Sequence, residues 1–149
     1  MSAPDTPPDA TQAFDPTKPE SYNFWTAEHV RFADLDMLGH VNNKAYATYF
    51  ETARVAAMMK CKLSEGTAVG MAMVRLEIDY RKEIRFPAEL RLGVRLRKLG
   101  NSSLALACGI FDGETCASTS YSVAVRFDPK TRASKAFTDE ERRLVETYL

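Results

Sequence analysis

The part of the chain that decides the fold is residues 31–54, which read RFADLDMLGHVNNKAYATYFETAR. Its first half contains two carboxylates, Asp34 and Asp36, followed closely by Gly39 and His40. Its second half has apolar side chains at the spacing of a helix. Catalytic groups concentrate on loops that join rigid elements. The loop before this helix is therefore the candidate functional site.

A long helix is predicted to begin at Asn42 or Asn43, because asparagine is a favoured N-cap residue. The apolar rows continue through Cys61, and the helix is expected to end near Ser64–Gly66. The helix is apolar around much of its circumference, which suits a helix wrapped by a sheet.

Strands are predicted elsewhere, from aromatic and β-branched content or from alternating apolar and polar residues. They cover residues 22–33, 73–81, 90–97, 104–111 and 115–127. The fourth is apolar on both faces, which favours a central position. Thr138 and Glu141 resemble a capping box for a short helix over residues 139–148. The order predicts an α+β fold, with one long central helix on a curved antiparallel sheet of about five strands.

Length and composition indicate one domain with an arm. The chain has 149 residues, and its first 20 hold five of the seven prolines. We expect residues 1–20 to form a flexible acidic arm and residues 21–149 a single domain. The net charge of zero argues against a general nucleic-acid binder. The zero net charge results from opposing local charges: residues 1–20 carry −3, residues 75–98 carry +4 and residues 126–135 carry +3.

Other features bear on the compartment and on metals. The N-terminus lacks the basic and apolar regions of a signal peptide, and no stretch has the ~18 apolar residues of a membrane helix. Three cysteines without metal-ligand spacing favour a reduced, cytoplasmic protein. With only two histidines, His29 and His40, no metal site is expected.

The candidate loop suits chemistry on a carbonyl group. A helix N-terminus presents unpaired N–H groups and a partial positive charge. A carbonyl oxygen placed there would be polarised, and a nearby carboxylate could attack the carbonyl carbon or deprotonate a water. The sequence has no nucleophile elbow, Walker A loop or dinucleotide fingerprint, which argues against a serine triad, nucleotide hydrolysis and hydride transfer.

Residues 31–54 resemble the hotdog-fold acyl-CoA thioesterases of the hydroxybenzoyl-CoA thioesterase-like group, and the HVNN stretch of plant acyl-carrier-protein thioesterases. The resemblance extends over about residues 22–135. It implies a hotdog fold and hydrolysis of an acyl-CoA to free acid and coenzyme A, without a further cofactor. It also implies a homodimer, or a dimer of dimers, in which two sheets join and the active site lies between protomers.

The resemblance also assigns roles to residues. Asp36 matches the catalytic carboxylate, as nucleophile or general base, and the N–H groups of Gly39 and His40 match the donors to the thioester carbonyl. The His40 side chain could instead bond the thioester oxygen, hold Asp36 or be structural. Asp34 is interpreted as structural, and Leu38 replaces an asparagine of the plant enzymes.

Substrate contacts are expected in two groups. The first surrounds the acyl group and the helix start: Asn42, Asn43, Tyr46, Tyr49 and Phe50, with the asparagines mainly as caps. The second would bind the coenzyme A phosphates: Lys98, Asn101, Ser102, Ser103, Arg126, Lys130 and Arg132. A solvated, charged strand edge explains the second group equally well.

Two other functions fit the same loop. One is an acyl-thioester-binding module without turnover. The other is a hotdog acyl-CoA hydratase or dehydratase, although those enzymes carry an Asp-x-x-x-x-His pair, whereas Asp36 and His40 are only four residues apart. Glu51, on the helix, is a secondary candidate for the catalytic carboxylate; alternatively it pairs with Arg54 or Arg31.

Overall fold

The computed structural model describes residues 13–63 and 70–149. The strands are β1 (Phe24–His29), β2 (Met71–Tyr80), β3 (Glu89–Leu99), β4 (Ser103–Asp112) and β5 (Thr115–Arg126). The helices are α1 (Asn43–Lys60) and α2 (Asp139–Tyr148), and single 3-10 turns lie at Pro19–Ser21 and Phe32–Asp34. None of the described helices is both long enough and apolar enough to cross a membrane.

The five strands form one antiparallel sheet in the order β1-β3-β4-β5-β2. The central position predicted for residues 104–111 is confirmed, since every one of them is buried in β4. Strand β2 does not pair with its neighbour in sequence, β3; it crosses to the far edge and pairs with β5. This crossover places the end of β2 close to the start of α1.

Helix α1 packs against the inner face of the sheet and forms the core with it. Tyr49, Phe50 and Ala53 are fully buried against inward-facing residues of β3 and β4. The helix lies over β1, β3 and β4, and it leaves an open groove along the flank that faces β5 and β2. The predicted fold class, a helix wrapped by a curved five-stranded sheet with a short C-terminal helix, is confirmed.

Two predicted boundaries are wrong. Helix α1 ends at Lys60, not near Ser64–Gly66, because Lys62 takes a φ of +56° and starts a Schellman motif. In that motif the Leu63 N–H donates to the Met58 carbonyl at 2.9 Å. The last predicted helical residues, 64–66, lie outside the described part of the chain.

The first predicted strand is also shorter than expected. It ends at His29, and a 3-10 turn follows because the Asp34 carboxylate accepts a hydrogen bond from the Arg31 N–H at 2.9 Å. The helix at residues 139–148 is confirmed, with the Thr138 hydroxyl and the Glu141 carboxylate closing the predicted capping box.

Residues 13–22 lie on the outer face of the sheet, while most of the predicted arm, residues 1–12, lies outside the described residues. The Tyr22 hydroxyl donates to the Pro16 carbonyl at 2.6 Å, and its ring packs 6.1 Å from that of Phe14. A Cβ at Gly93 would lie 2.7 Å from the Tyr22 ring, so this position requires glycine. The segment from Phe14 to Tyr22 is thus attached to the domain.

Candidate active site

The loop that contains Asp36 is a tight hairpin closed by its own backbone. Leu35 and Val41 form an isolated bridge, and the Asp36 N–H donates to the His40 carbonyl at 2.9 Å. The Gly39 N–H donates to the Asp36 carbonyl at 3.1 Å, and Gly39 has a φ of +78°, which glycine adopts at little cost. The loop therefore holds Asp36 in a defined position.

The Asp36 carboxylate is held at one oxygen and open at the other. Its Oδ1 accepts a hydrogen bond from the Leu38 N–H at 2.9 Å. No hydrogen bond within the described residues involves Oδ2. The side chain is half-buried, whereas the neighbouring Met37 and Leu38 are exposed. A group placed beside the loop can thus reach an oriented carboxylate oxygen.

Asp34 anchors the loop to the helix. Its carboxylate accepts hydrogen bonds from the Arg31 N–H at 2.9 Å and from the Tyr49 hydroxyl at 2.6 Å. Its backbone carbonyl accepts from the Asn42 N–H at 2.8 Å. Burial and the neighbouring Asp34 charge raise the pKa of Tyr49, which keeps the hydroxyl protonated as a donor. Asp34 thus has a structural role, since it joins the loop to α1.

The start of α1 is capped as the sequence predicts. The Asn42 side chain accepts a hydrogen bond from the Lys44 N–H at 2.9 Å, and helical residues begin at Asn43. Within the described residues, no hydrogen bond satisfies the N–H of His40 or Asn43. The Asn43 amide lies at the positive end of the helix, where an oxygen acceptor is stabilised, and the His40 amide lies in the loop two residues before the Asn42 cap.

Asp36 borders an open depression of about 350 Å³. Its lining comprises Asp36, Leu38, His40, Val41, Asn43, Tyr46, Tyr80, Arg81, Lys82 and Glu83. The structure therefore brings together four predicted site residues: Asp36, His40, Asn43 and Tyr46. The opposite wall is the end of β2, where the Tyr46 hydroxyl donates to the Lys82 carbonyl at 3.2 Å and the Tyr46 and Tyr80 rings meet at 5.1 Å.

The His40 ring contacts a carboxylate other than Asp36. Its Nε2 lies 2.9 Å from Glu83 Oε2, and the Arg85 guanidinium donates to the other Glu83 oxygen at 2.7 Å. The hydrogen bond from Arg85 is the main reason that the pKa of Glu83 is lowered. The role of Glu83 was missed because its segment reaches the loop through contacts between distant residues, among them the hydrogen bond from the Val41 N–H to the Ile84 carbonyl at 2.9 Å. The run of charged residues over 81–85 is the sequence feature that could have indicated this role.

Other predicted contacts do not line this depression. Tyr49 and Phe50 are fully buried in the core, and Asn42 serves as the helix cap. Glu51 is exposed and lines a second depression farther along α1, beside Arg54. Among the described residues, no three His, Cys, Asp or Glu side chains are arranged to hold a metal ion.

The predicted phosphate contacts lie at the opposite end of the sheet. The turn Asn101–Ser103 hydrogen-bonds to the segment after β5, and Arg126 forms an ion pair with Glu141. Tyr80 pairs with Ser118, eight residues before Arg126, so the two ends of the sheet are about 26 Å apart. A single chain does not bring Lys98, Asn101, Ser102, Ser103, Arg126, Lys130 and Arg132 to Asp36.

Comparison with known proteins identifies the family. The family model of the thioesterase-like superfamily matches residues 30–144. The chain belongs to this superfamily. The resemblance predicted from residues 31–54 is thereby confirmed, and the family supports a thioester-cleaving activity in general terms.

Relatives of this superfamily member share both sequence and fold. The uncharacterized protein YsmA of Bacillus subtilis (strain 168) is 31% identical over 125 residues, which cover 82% of this chain and 84% of YsmA. The crystal structure of PA5185 from Pseudomonas aeruginosa superposes with a TM-score of 0.81 at 26% identity, covering 89% and 95% of the two chains. A Thermus thermophilus thioesterase, crystallised with coenzyme A and Zn, gives a TM-score of 0.75 at 28% identity, covering 85% and 95%.

Proposed function

We propose that this protein hydrolyses an acyl-CoA thioester to a free acid and coenzyme A, with Asp36 as the catalytic carboxylate. The observation that carries the proposal is the Asp36 carboxylate, fixed by the Leu38 N–H at the edge of an open depression. Membership of the thioesterase-like superfamily supports the reaction class. The coenzyme A bound by the Thermus thermophilus relative supports the type of substrate.

The thioester oxygen would face the N–H groups of His40 and Asn43. The Gly39 N–H, which the resemblance also implies as a donor, is already used by the Asp36 carbonyl. Donors aimed at the oxygen, together with the helix dipole, stabilise the negative charge that develops during attack. This arrangement exposes the carbonyl carbon to the open oxygen of Asp36.

Two routes lead from there to the same products. As a nucleophile, the carboxylate adds to the carbonyl carbon and expels the coenzyme A thiolate, and water then cleaves the resulting mixed anhydride. As a general base, Asp36 takes a proton from the water that attacks. In both routes His40, held by Glu83, forms the rim of the depression and orients the substrate.

We also propose a homodimer as the functional unit. Among the described strands, β2 is an edge of the sheet with a partner on one side only, and its side chains Met73 and Val74 are exposed together with Val55 and Met59 of α1. An apolar edge strand of this kind favours pairing with a second chain. Two copies related by a twofold axis would pair their β2 strands antiparallel and form one continuous sheet.

This pairing would explain the distant basic residues. Antiparallel pairing of two β2 strands sets the Met71 end of one strand beside the Tyr80 end of the other. Arg126 pairs with Met71 in the sheet, so the basic end of the partner would lie beside the Asp36 depression. The coenzyme A phosphates would then be bound by the partner's sheet end and the acyl group by the first protomer.

The test is a panel of acyl-CoAs, with short, medium, long and aryl acyl groups, in which thiol release is followed by a colour reagent. We expect turnover of at least one thioester. Binding of acyl-CoA without thiol release would favour the non-catalytic module. Hydration of an enoyl-CoA without thiol release would favour the hydratase and contradict the proposal.

A further inference from the structure

Two depressions lie along the same flank of α1, one at the Asp36 loop and one farther toward the end of the helix. We define the α1–β2 groove as the space between one flank of α1 and the inward-facing side of β2, over β5. One end is the Asp36 depression, with Tyr46 and Tyr80. The other end is a second depression of about 320 Å³, lined by Glu51, Arg54, Val55, Met58, Met71, Met73 and Ala124. The second depression is mainly apolar, apart from Arg54 and Glu51.

Arg54 is a buried cation without a full set of partners. It is only 6% exposed, and its Nη1 is buried without a hydrogen-bond partner among the described residues. The Ser120 hydroxyl, on the β5 face below, is also buried; in the described part of the chain it lies beside the Cys108 thiol and has no nitrogen or oxygen partner. Both groups lie close to Cys108, which pairs with Ser120 between the two strands.

The described residues around Arg54 do not neutralise this cation. Burial raises the pKa of the Cys108 thiol to about 12, so that the thiol is uncharged. Glu51 is exposed, and its charge affects Arg54 less than burial does. The pKa of the Arg54 guanidinium is therefore lowered. A buried charge without a counter-charge is costly, and a carboxylate matches the planar donors of arginine.

We propose that Arg54, with the Ser120 hydroxyl, binds a carboxylate at the remote end of the acyl group, so that the substrates are carboxyl-bearing acyl-CoA thioesters. This inference rests on the proposed thioesterase function, because the thioester must lie at Asp36 for the acyl chain to enter the groove. The apolar residues Val55, Met58 and Met73 would enclose the chain before its end.

The distance along α1 determines which acyl chains are long enough for a terminal carboxylate to reach Arg54. Asn43 and Arg54 are 11 residues apart on α1, which is a rise of about 16 Å. A four-carbon succinyl group is too short for this distance. A ten-carbon sebacoyl group covers about two thirds of it, and the long Arg54 side chain, which points back toward the start of α1, covers the rest. The preference for a terminal carboxylate should therefore appear only for the longer chain.

The test compares kcat/KM for matched thioesters: sebacoyl-CoA against decanoyl-CoA, and succinyl-CoA against butyryl-CoA. The proteins are the wild type, Arg54→Gln and the control Arg143→Gln, which makes the same change at an exposed arginine of α2. We expect the wild type to prefer sebacoyl-CoA, and Arg54→Gln to lower the sebacoyl-to-decanoyl ratio by about tenfold to a hundredfold. The succinyl-to-butyryl ratio and the control should not change.

Three outcomes would overturn the inference. The first is a wild type that prefers decanoyl-CoA, and the second is a ratio independent of Arg54. The third is an Arg54→Gln protein that loses its dimer but keeps the ratio, which would assign Arg54 to a partner carboxylate. If Arg54→Gln does not fold, Ser120→Ala decides: the inference predicts a severalfold lower ratio, and an unchanged ratio contradicts it. Hydrolysis of decanoyl-CoA that needs Asp36 would leave the proposed function intact in each case.

Discussion

The hydrogen bond between Tyr49 and Asp34 allows a quantitative test of how the active-site loop is held. Tyr49→Phe removes the hydroxyl that donates to the Asp34 carboxylate at 2.6 Å and leaves the ring in place. Tyr49 is fully buried, so the change leaves a void no larger than one hydroxyl group, and the main loss is one hydrogen bond. The substitution therefore removes the side-chain hydrogen bond that joins the active-site loop to α1.

The expected cost follows from the charge of the acceptor. Hydrogen bonds to charged groups contribute about 1.5–3 kcal/mol. Asp34 keeps its bond from the Arg31 N–H, and its side chain is 17% exposed, so water compensates only in part. We expect the free energy of unfolding to fall by about 2 kcal/mol, equivalent to a decrease in Tm of about 4–8 °C.

The assay is urea unfolding followed by circular dichroism, with a thermal scan as a second measurement. The control is Tyr121→Phe, whose hydroxyl makes no hydrogen bond within the described residues; it should lie within about 0.5 kcal/mol of the wild type. The slope with urea should be the same in all three proteins. A Tyr49→Phe protein as stable as the control would refute the idea that this bond anchors the loop.

Three further predictions concern α2 and the cysteines. Thr138→Ala removes the cap of α2, and urea unfolding should show a loss of about 1 kcal/mol; no loss would mean that the capping box does not stabilise the domain. Cys61 and Cys108 should resist a thiol reagent in the native protein at pH 8, because burial raises the thiol pKa values to about 11 and about 12. Rapid native labelling of either one, identified by peptide mapping, would contradict their burial. Above the ordinary thiol pKa of 9.0 the unfolded state loses these protons first, so the free energy of unfolding should decrease as the pH rises.

Local patterns in the sequence predicted local structure well. The Asn42 cap, the capping box of α2 and the central position of residues 104–111 all depend on neighbouring residues or on hydrophobic pattern, and all are confirmed. The predicted end of α1 was wrong because the apolar periodicity continues past Lys60. In the structure the Leu63 N–H donates to the Met58 carbonyl, which ends the helix.

The site features that the sequence did not predict depend on pairing between residues far apart in the chain. Tyr80 lines the Asp36 depression because β2 pairs with β5 at the far edge of the sheet, and Glu83 lines it because the Val41 N–H donates to the Ile84 carbonyl. The same pairing puts Arg126 about 26 Å from that depression. The acid that His40 contacts likewise lies 43 residues farther along the chain. Neither spacing nor residue type reveals such a register.

The most direct test of the central claim is kcat/KM for the best acyl-CoA substrate, measured on wild type, Asp36→Asn and Asp112→Asn. Asp112 is an exposed aspartate at the end of β4 and serves as the matched control. We predict that Asp36→Asn lowers kcat/KM by at least about a hundredfold, with the circular dichroism spectrum and Tm preserved, and that Asp112→Asn matches the wild type. A folded Asp36→Asn protein that keeps the activity of the wild type would contradict the account.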